Sequence, residues 1–277
     1  MSGPRSGPGA GPTPSSSSRP ARRSPGRDLA VDAARLRAMH VPGTPLLLAN
    51  AWDVASARLV REVGLPAVAT SSAAVAAASG YEDRSRMPAA VAMAAVARIA
   101  AAVDLPVTAD LEDGYGLGPG ELVAGLIEAG ACGLNLEDSD HRRGGLIDAG
   151  VQAERIAAIK AAGRAAGVDL VVNARIDVHL HGLSVSAGLD RAARYREAGA
   201  DCLYPITLDD PVALREYVAI GPVNALYRPG SPSLRALAEV GVSRISMGSG
   251  LFRLAMARAR AAAMALARGD DPGVWET

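Results

Sequence analysis

The sequence predicts an α/β protein of the (β/α)8 barrel type, and three observations carry that expectation. From Leu46 onward, short and nearly continuous apolar runs alternate eight times with Ala-rich stretches of helical period, as expected of parallel strands buried on both faces and covered by helices. A phrase also recurs: "EVGLPAVAT", "EAGACGLNL", "EAGADCLYP" and "EVGVSRISM" each set an acidic residue and then a glycine ahead of a run. Finally, nearly every run ends in polar residues, and in a barrel the carboxyl ends of the strands share one face. Eight units without a long interruption favour a closed barrel over an open doubly wound sheet, which usually has fewer strands and a reversal of order.

The chain begins with residues 1–27, rich in Ser, Pro and Gly, which carry Arg5, Arg19, Arg22, Arg23 and Arg27 but no acid. With no apolar segment of a signal peptide, they are expected to form a disordered, solvated tail. Residues 28–277 are expected to form one barrel domain. Its strands are expected at Leu46 to Asn50, Ala67 to Thr70, Pro106 to Asp110, Gly133 to Glu137, Leu170 to Arg175, Cys202 to Ile206, Val223 to Tyr227 and Arg244 to Gly248. Gly64, Gly130, Gly199 and Gly241 stand where a helix must stop before the next strand, in the left-handed conformation that ends helices.

Composition narrows the function classes. Net charge is zero, but the basic tail leaves the remainder mildly acidic. One Phe and two Trp provide little surface for stacking on bases, so no nucleic-acid partner is expected. No apolar run is long enough to span a membrane. Cys132 and Cys202 each open a short apolar run and read as small buried hydrophobes in a reducing cytoplasm. "GYGLGPG" is not a dinucleotide loop, because Pro119 occupies the third glycine position, and "MGSGLF" lacks the spacing of a nucleophile elbow.

The strand ends hold the candidate chemistry: Asn50 and Asp53, Ser71 and Ser72, Asp110 and Glu112, Asn135 and Glu137, Asn173 with Arg175 and Asp177, and Asn224 with Arg228. Strand alternation places Asp110 with Glu112, Asn135 with Glu137 and Asn173 with Arg175 on shared faces if the extended conformation continues that far. Carboxylates 4 Å apart repel by about 4 kcal/mol at a surface-like dielectric. Either Arg175 neutralises one of them and the rest are loop charges, or the acids surround a cation; the constellation favours the cation. With no Cys or His at these ends the ligands are all oxygen, which suits Mg2+ or Mn2+ rather than zinc. Asp113 is expected to face away, and Gly114 and Gly116 to let the chain leave the site sharply.

Over Leu46 to Arg268, the stretches "NAWDVASARLVREVGLPAVATSSAAVAAASGYED", "PVTADLEDGYG", "GLNLED", "NARID", "PGSPS" and "GVSRISMGS" resemble the isocitrate lyase and phosphoenolpyruvate mutase superfamily. The resemblance implies a barrel whose Mg2+ holds the carboxylate and keto oxygen of a 2-oxo acid or its enolate. The metal acids fall on Asp83, Asp110, Glu112 and Glu137, with Glu112 standing where many relatives have Asp. Ser71 and Ser72 look like the carboxylate cradle. They join Asn173 and Arg175 as the expected substrate-binding residues, and Arg175 matches the arginine that steadies the enolate oxygen. The loop after the fourth strand, "DSDHRRGGLID", lacks the catalytic Cys of the lyases. His141 is its titratable substitute, while Arg142 and Arg143 either hold a distal carboxylate or form a solvated turn. At the sixth strand end Ile206 replaces a functional Glu or His.

The implied activity is a C–C lyase or decarboxylase. C–P bond chemistry, as in a phosphonomutase or phosphonopyruvate hydrolase, is the alternative, and a non-catalytic 2-oxo acid binding protein is a third reading. In the same superfamily the last helix, here "GLFRLAMARARAAAMALARG", often packs on a neighbouring subunit, implying a homo-oligomer; packing on its own barrel is the other reading.

Overall fold

The computed structural model describes Gly3, residues 27–84 and residues 86–273. The expected tail, 1–27, lies outside these residues except for Gly3 and Arg27. The Arg27 guanidinium bonds to Asp32 and to the carbonyls of Ala100 and Leu105.

Among the described residues there are nine parallel strand segments. β1 (Leu46–Leu48) and β2 (Asn50–Ala51) are two halves of one extended stretch. β2 pairs with β3 (Val68–Thr70), and the ladder continues through β4 (Val107–Asp110), β5 (Gly133–Glu137), β6 (Val171–Ile176) and β7 (Cys202–Pro205). A bridge between Leu203 and Val223 leads to β8 (Asn224–Leu226), which pairs with β9 (Arg244–Ser246), and β9 returns to β1. The ring therefore closes, as the sequence predicts. The first strand changes partner where the Asn50 side chain accepts from the Met247 N–H at 2.9 Å and donates to the Thr70 carbonyl at 2.8 Å.

The helices are α1 (Leu29–Ala38), α2 (Val54–Glu62), α3 (Ser72–Ala78), α4 (Ala89–Ala101), α5 (Pro119–Glu128), α6 (Ala149–Ala165), α7 (Val185–Glu197), α8 (Pro211–Ile220), α9 (Leu234–Val240) and α10 (Gly250–Arg268). Asp53, Ser71, Asp148, Ser184, Asp210 and Ser233 cap helix starts by accepting backbone N–H groups, each worth about 1 kcal/mol. Gly64, Gly130, Gly199 and Gly241 all have positive φ where helices end.

α1 is an addition to the predicted elements. Asp28 caps it, Leu29, Ala33 and Leu36 are its buried face, and Arg37 bonds the Asp169 carbonyl and the Asp201 carboxylate, just ahead of β6 and β7. It thus covers the amino-terminal end of the barrel and leaves the carboxyl ends open. Each fully buried Leu, Ile or Val contributes about 1.5–3 kcal/mol. Among the described residues no helix is long and apolar enough to cross a membrane.

Candidate active site

Strand register assembles the site. Asp110, Asn135 and Asn173 stand side by side on β4, β5 and β6, and one step further Glu137, Arg175 and Tyr204 form the next row across β5, β6 and β7. Neighbours in such rows are about 4.8 Å apart along the hydrogen-bonding direction, so an acid opposite an arginine pairs with it. Arg175 forms an ion pair with Glu137 and holds Asp177 through Nε at 2.7 Å and Nη2 at 3.0 Å. Glu137 also meets the His141 imidazole. Asp177 accepts from the Ser139 hydroxyl at 2.6 Å, and that hydroxyl lies 3.4 Å from His181 Nε2.

The electrostatics follow from this arrangement. Burial pushes the Glu137 carboxyl up, while Arg175 and His141 pull the other way. The bond to Glu137 raises His141 against its own desolvation. Burial opposes the charge on Arg175, but Glu137 and Asp177 outweigh it and hold its proton more tightly than usual. Arg175 therefore does neutralise a carboxylate, and it does so inside the cavity.

That cavity, about 480 Å³, is lined by the expected residues Ser72, Asp83, Glu112, Glu137, His141 and Arg175. Asp110 lies behind Ser72: its Oδ2 accepts from the Ser72 N–H at 3.0 Å and hydroxyl at 2.7 Å, and its Oδ1 from Asn135 Nδ2 at 3.4 Å. Ser71 and Asn173 do not line it. The Ser71 hydroxyl caps α3, and Asn173 is buried below, donating to Asn135 Oδ1 at 2.8 Å.

Glu112 reaches the cavity by a route that alternation does not give. β4 ends at Asp110, and Glu112 takes a left-handed conformation, φ +51°, which turns its buried side chain inward. Asp113 is absent from the cavity wall, yet it is buried and accepts from the Tyr115 N–H at 3.0 Å, fixing the turn with Gly114 at φ +82°. Arg84, at φ +69°, also lines the cavity; strained non-glycine residues concentrate at functional sites.

The segment after β5 is a compact hairpin. Ser139 bridges Leu146, the Asp140 N–H donates to the Gly145 carbonyl at 3.0 Å, and the Ile147 N–H to the Asp138 carbonyl at 2.8 Å. Asp140 Oδ1 accepts from the N–H groups of Arg142 and Arg143, both exposed at the tip, and the Arg142 guanidinium folds back against Gly116. Beneath it the buried Asp138 accepts from the Asp177 N–H, Arg191 Nη1 and the Tyr195 hydroxyl at 2.8, 2.9 and 2.8 Å.

Sequence reasoning placed Asp177 among the strand-end residues without giving it a role, and singled out neither Ser139 nor His181. Asp177 continues the period-two series Asn173, Arg175 and so carried a signal; Ser139 and His181 carried none. At the sixth strand end Tyr204, rather than Ile206, points inward, its hydroxyl pushed up to about 12 by burial. Burial also pushes the thiols of Cys132 and Cys202 up to about 12, so both are inert, buried hydrophobes as expected.

Among the described residues, no three carboxylate, imidazole or thiol groups form a cluster able to cage an ion directly. Asp83, Glu112 and Glu137 nonetheless share one cavity wall. An all-oxygen set spread this way fits Mg2+ or Mn2+ held largely through water, and does not fit a tetrahedral zinc site.

A family model described as phosphoenolpyruvate phosphomutase matches residues 36–267. The chain belongs to the isocitrate lyase and phosphoenolpyruvate mutase superfamily. Within it, an uncharacterised Mycobacterium tuberculosis protein is 33% identical over 237 residues, 84% of this chain and 89% of that one. A solved structure from Burkholderia cenocepacia J2315, provisionally described as a phosphonomutase, is 44% identical with a TM-score of 0.79, covering 83% of this chain and 98% of its own. The 2-methylisocitrate lyase of Bacillus subtilis is 29% identical over 203 residues, 70% of this chain and 66% of the lyase.

Proposed function

We propose that this protein is a divalent-metal-dependent enzyme that makes or breaks a C–C bond beside the oxo group of a 2-oxo acid or its precursor, with an enolate as the departing or attacking species. The observation that carries this reading is Arg175, held between Glu137 and Asp177 in the wall of a cavity that Asp83, Glu112 and Ser72 also line. Asp83, Glu112 and Glu137 from the cavity wall, with Asp110 behind Ser72, would hold Mg2+ or Mn2+, largely through water, and the ion would supply positive charge to polarise the oxo group.

The chain's own residues do the rest. Arg175 presents a fixed fork of donors to an oxygen that gains negative charge, the kind of preorganised stabilisation that lowers such barriers most. Ser72 orients Asp110 from both its amide and its hydroxyl. His141 Nε2 is hydrogen-bonded to Glu137 Oε1, which raises the imidazole's hold on its proton, and His141 gives that proton to the carbanionic carbon once the bond has broken. Arg84 at the mouth adds a cation for an anionic substrate. The activity named for the B. subtilis relative supports C–C chemistry.

Cleavage or rearrangement of a C–P bond is the second reading, favoured by the description given to the 44% identical structure, and the same arginine would serve it. α10 exposes Leu254, Met256, Met264 and Leu266, which supports a homo-oligomer built on that helix. Two free, buried thiols suit the reducing cytoplasm, where we place the protein.

Purified protein assayed with Mg2+ against oxaloacetate, 2-methylisocitrate and phosphonopyruvate separates these readings. Release of a 2-oxo acid or carboxylate from the C–C substrates alone supports the first, and phosphate or phosphoenolpyruvate from phosphonopyruvate supports the second. Thermal stabilisation by a 2-oxo acid without turnover would mark a binding protein. EDTA and Asp110→Ala should each abolish turnover; activity that survives both sinks the assigned site.

A further inference from the structure

Arg244 is among the largest side chains buried completely. It stands on β9, in register with Leu46 and Asn224, with its guanidinium inside the barrel beneath the cavity. Nη2 donates to Asn135 Oδ1 at 3.1 Å. Among the described residues, Nε and Nη1 meet no acceptor and the guanidinium joins no ion pair. A guanidinium does not shed its proton in proteins, and a buried charge without compensation is strongly destabilising.

The compensation is one residue removed. Asn135 Oδ1 receives two donors, Arg244 Nη2 at 3.1 Å and Asn173 Nδ2 at 2.8 Å. Only the oxygen of the amide can accept both, so the amide orientation is fixed and Asn135 Nδ2 is turned toward Asp110 Oδ1 at 3.4 Å. Burial lowers the proton affinity of Arg244, while Cys202, Tyr204 and Asp110 act against it, and of these three Asp110 is the carboxylate. A chain of donors thus runs from the buried cation through one amide to a site carboxylate that Ser72 holds from the other side.

We propose that Arg244 is the buried counter-charge of Asp110 and acts through Asn135: it sets the amide, and the amide holds the carboxylate in place. Arg244 is therefore a positioning residue. Its functional meaning rests on the reading of Asp110 as a site residue, but the coupling between the two is a property of the fold and is measured without turnover.

The test is a double-mutant cycle on the full chain, read by urea unfolding at pH 7 with Arg244→Met, Asp110→Asn and the pair. Arg244→Met should lower the folded-to-unfolded ratio about tenfold more in the wild-type background than in the Asp110→Asn background, within the usual range for coupled neighbours. A role in packing alone predicts the same loss in both backgrounds, and that equality overturns the proposal. Adding Asn135→Ala to every corner of the cycle should remove most of the coupling; coupling that persists undiminished refutes the bridge. Arg244→Lys keeps the charge without the fork and should show coupling of the same sign but smaller size. If Arg244→Met does not fold, the lysine cycle decides alone, with zero coupling as the refuting result. Mn2+ affinity of wild type and Asp110→Asn, measured separately by electron paramagnetic resonance, tests the metal reading of Asp110 independently of the cycle.

Discussion

Stability should fall as pH drops from 7 to 5, and His40 should be responsible for a defined share of that loss. The imidazole is buried at the end of α1, with Nδ1 2.8 Å from the Leu36 carbonyl and Nε2 meeting no partner among the described residues. Burial, and then the Arg244 charge, lower its pKa from 6.5 to about 4; Asp201 and the Leu36 and Arg37 backbone only partly oppose them. In the unfolded chain His40 takes up a proton near pH 6.5, whereas in the native state it stays neutral until about pH 4. The unfolded state therefore binds more protons across that window, so native stability declines with falling pH until both states are protonated. A shift of this size is worth about 3 kcal/mol in all, and about 2 kcal/mol of it should be lost between pH 7 and pH 5. Urea unfolding of wild type and His40→Gln at both pH values isolates this share, because the glutamine cannot titrate. The wild type should lose about 2 kcal/mol more than the variant. Parallel losses in the two proteins would falsify the account.

Four further substitutions probe the fold and the site. Arg191→Met leaves the buried Asp138 with two neutral donors in place of a cation and should cost about 3 kcal/mol in urea unfolding, with Tyr195→Phe costing about 1 kcal/mol. Gly133→Ala places a methyl group 2.9 Å from the Val171 carbonyl and 3.0 Å from the Leu36 Cδ2 methyl; since the carbonyl cannot withdraw without moving β6, differential scanning calorimetry should show a loss of about 1–3 kcal/mol. Arg175→Lys keeps one positive charge but not the fork that spans Glu137 and Asp177, and kcat on whichever of the three assayed substrates is turned over should fall about 10²-fold.

The strands were legible because burial on both faces leaves a nearly unbroken apolar run, and the helix stops because few residues other than glycine adopt a left-handed cap. α1 was missed because its buried Leu29, Ala33 and Leu36 are interleaved with Asp32, Arg35 and Arg37, leaving a narrow stripe that periodicity barely registers. In the candidate site, the residue types and the strand-end positions could be read directly. What could not be read was geometry that depends on two chain segments at once. Alternation put Glu112 on the face of Asp110, but the chain has already left the strand there, and a left-handed turn brings the side chain round instead. Likewise Arg175 had several acids within sequence reach. The register of β5 with β6 sets Glu137 beside it, and Asp177, two residues along its own chain, takes the other edge of the guanidinium.

The hairpin from Asp138 to Asp148 has one more consequence. Its backbone bonds close it on itself, and Asp138 anchors its base to α7 through Arg191 and Tyr195. A segment closed this way already stands as one wall of the cavity, with Ser139, Asp140 and His141 facing it. The side chains this wall sets across from Arg175 and Asp177 are therefore the first positions to change in any attempt to alter which anion the cavity accepts.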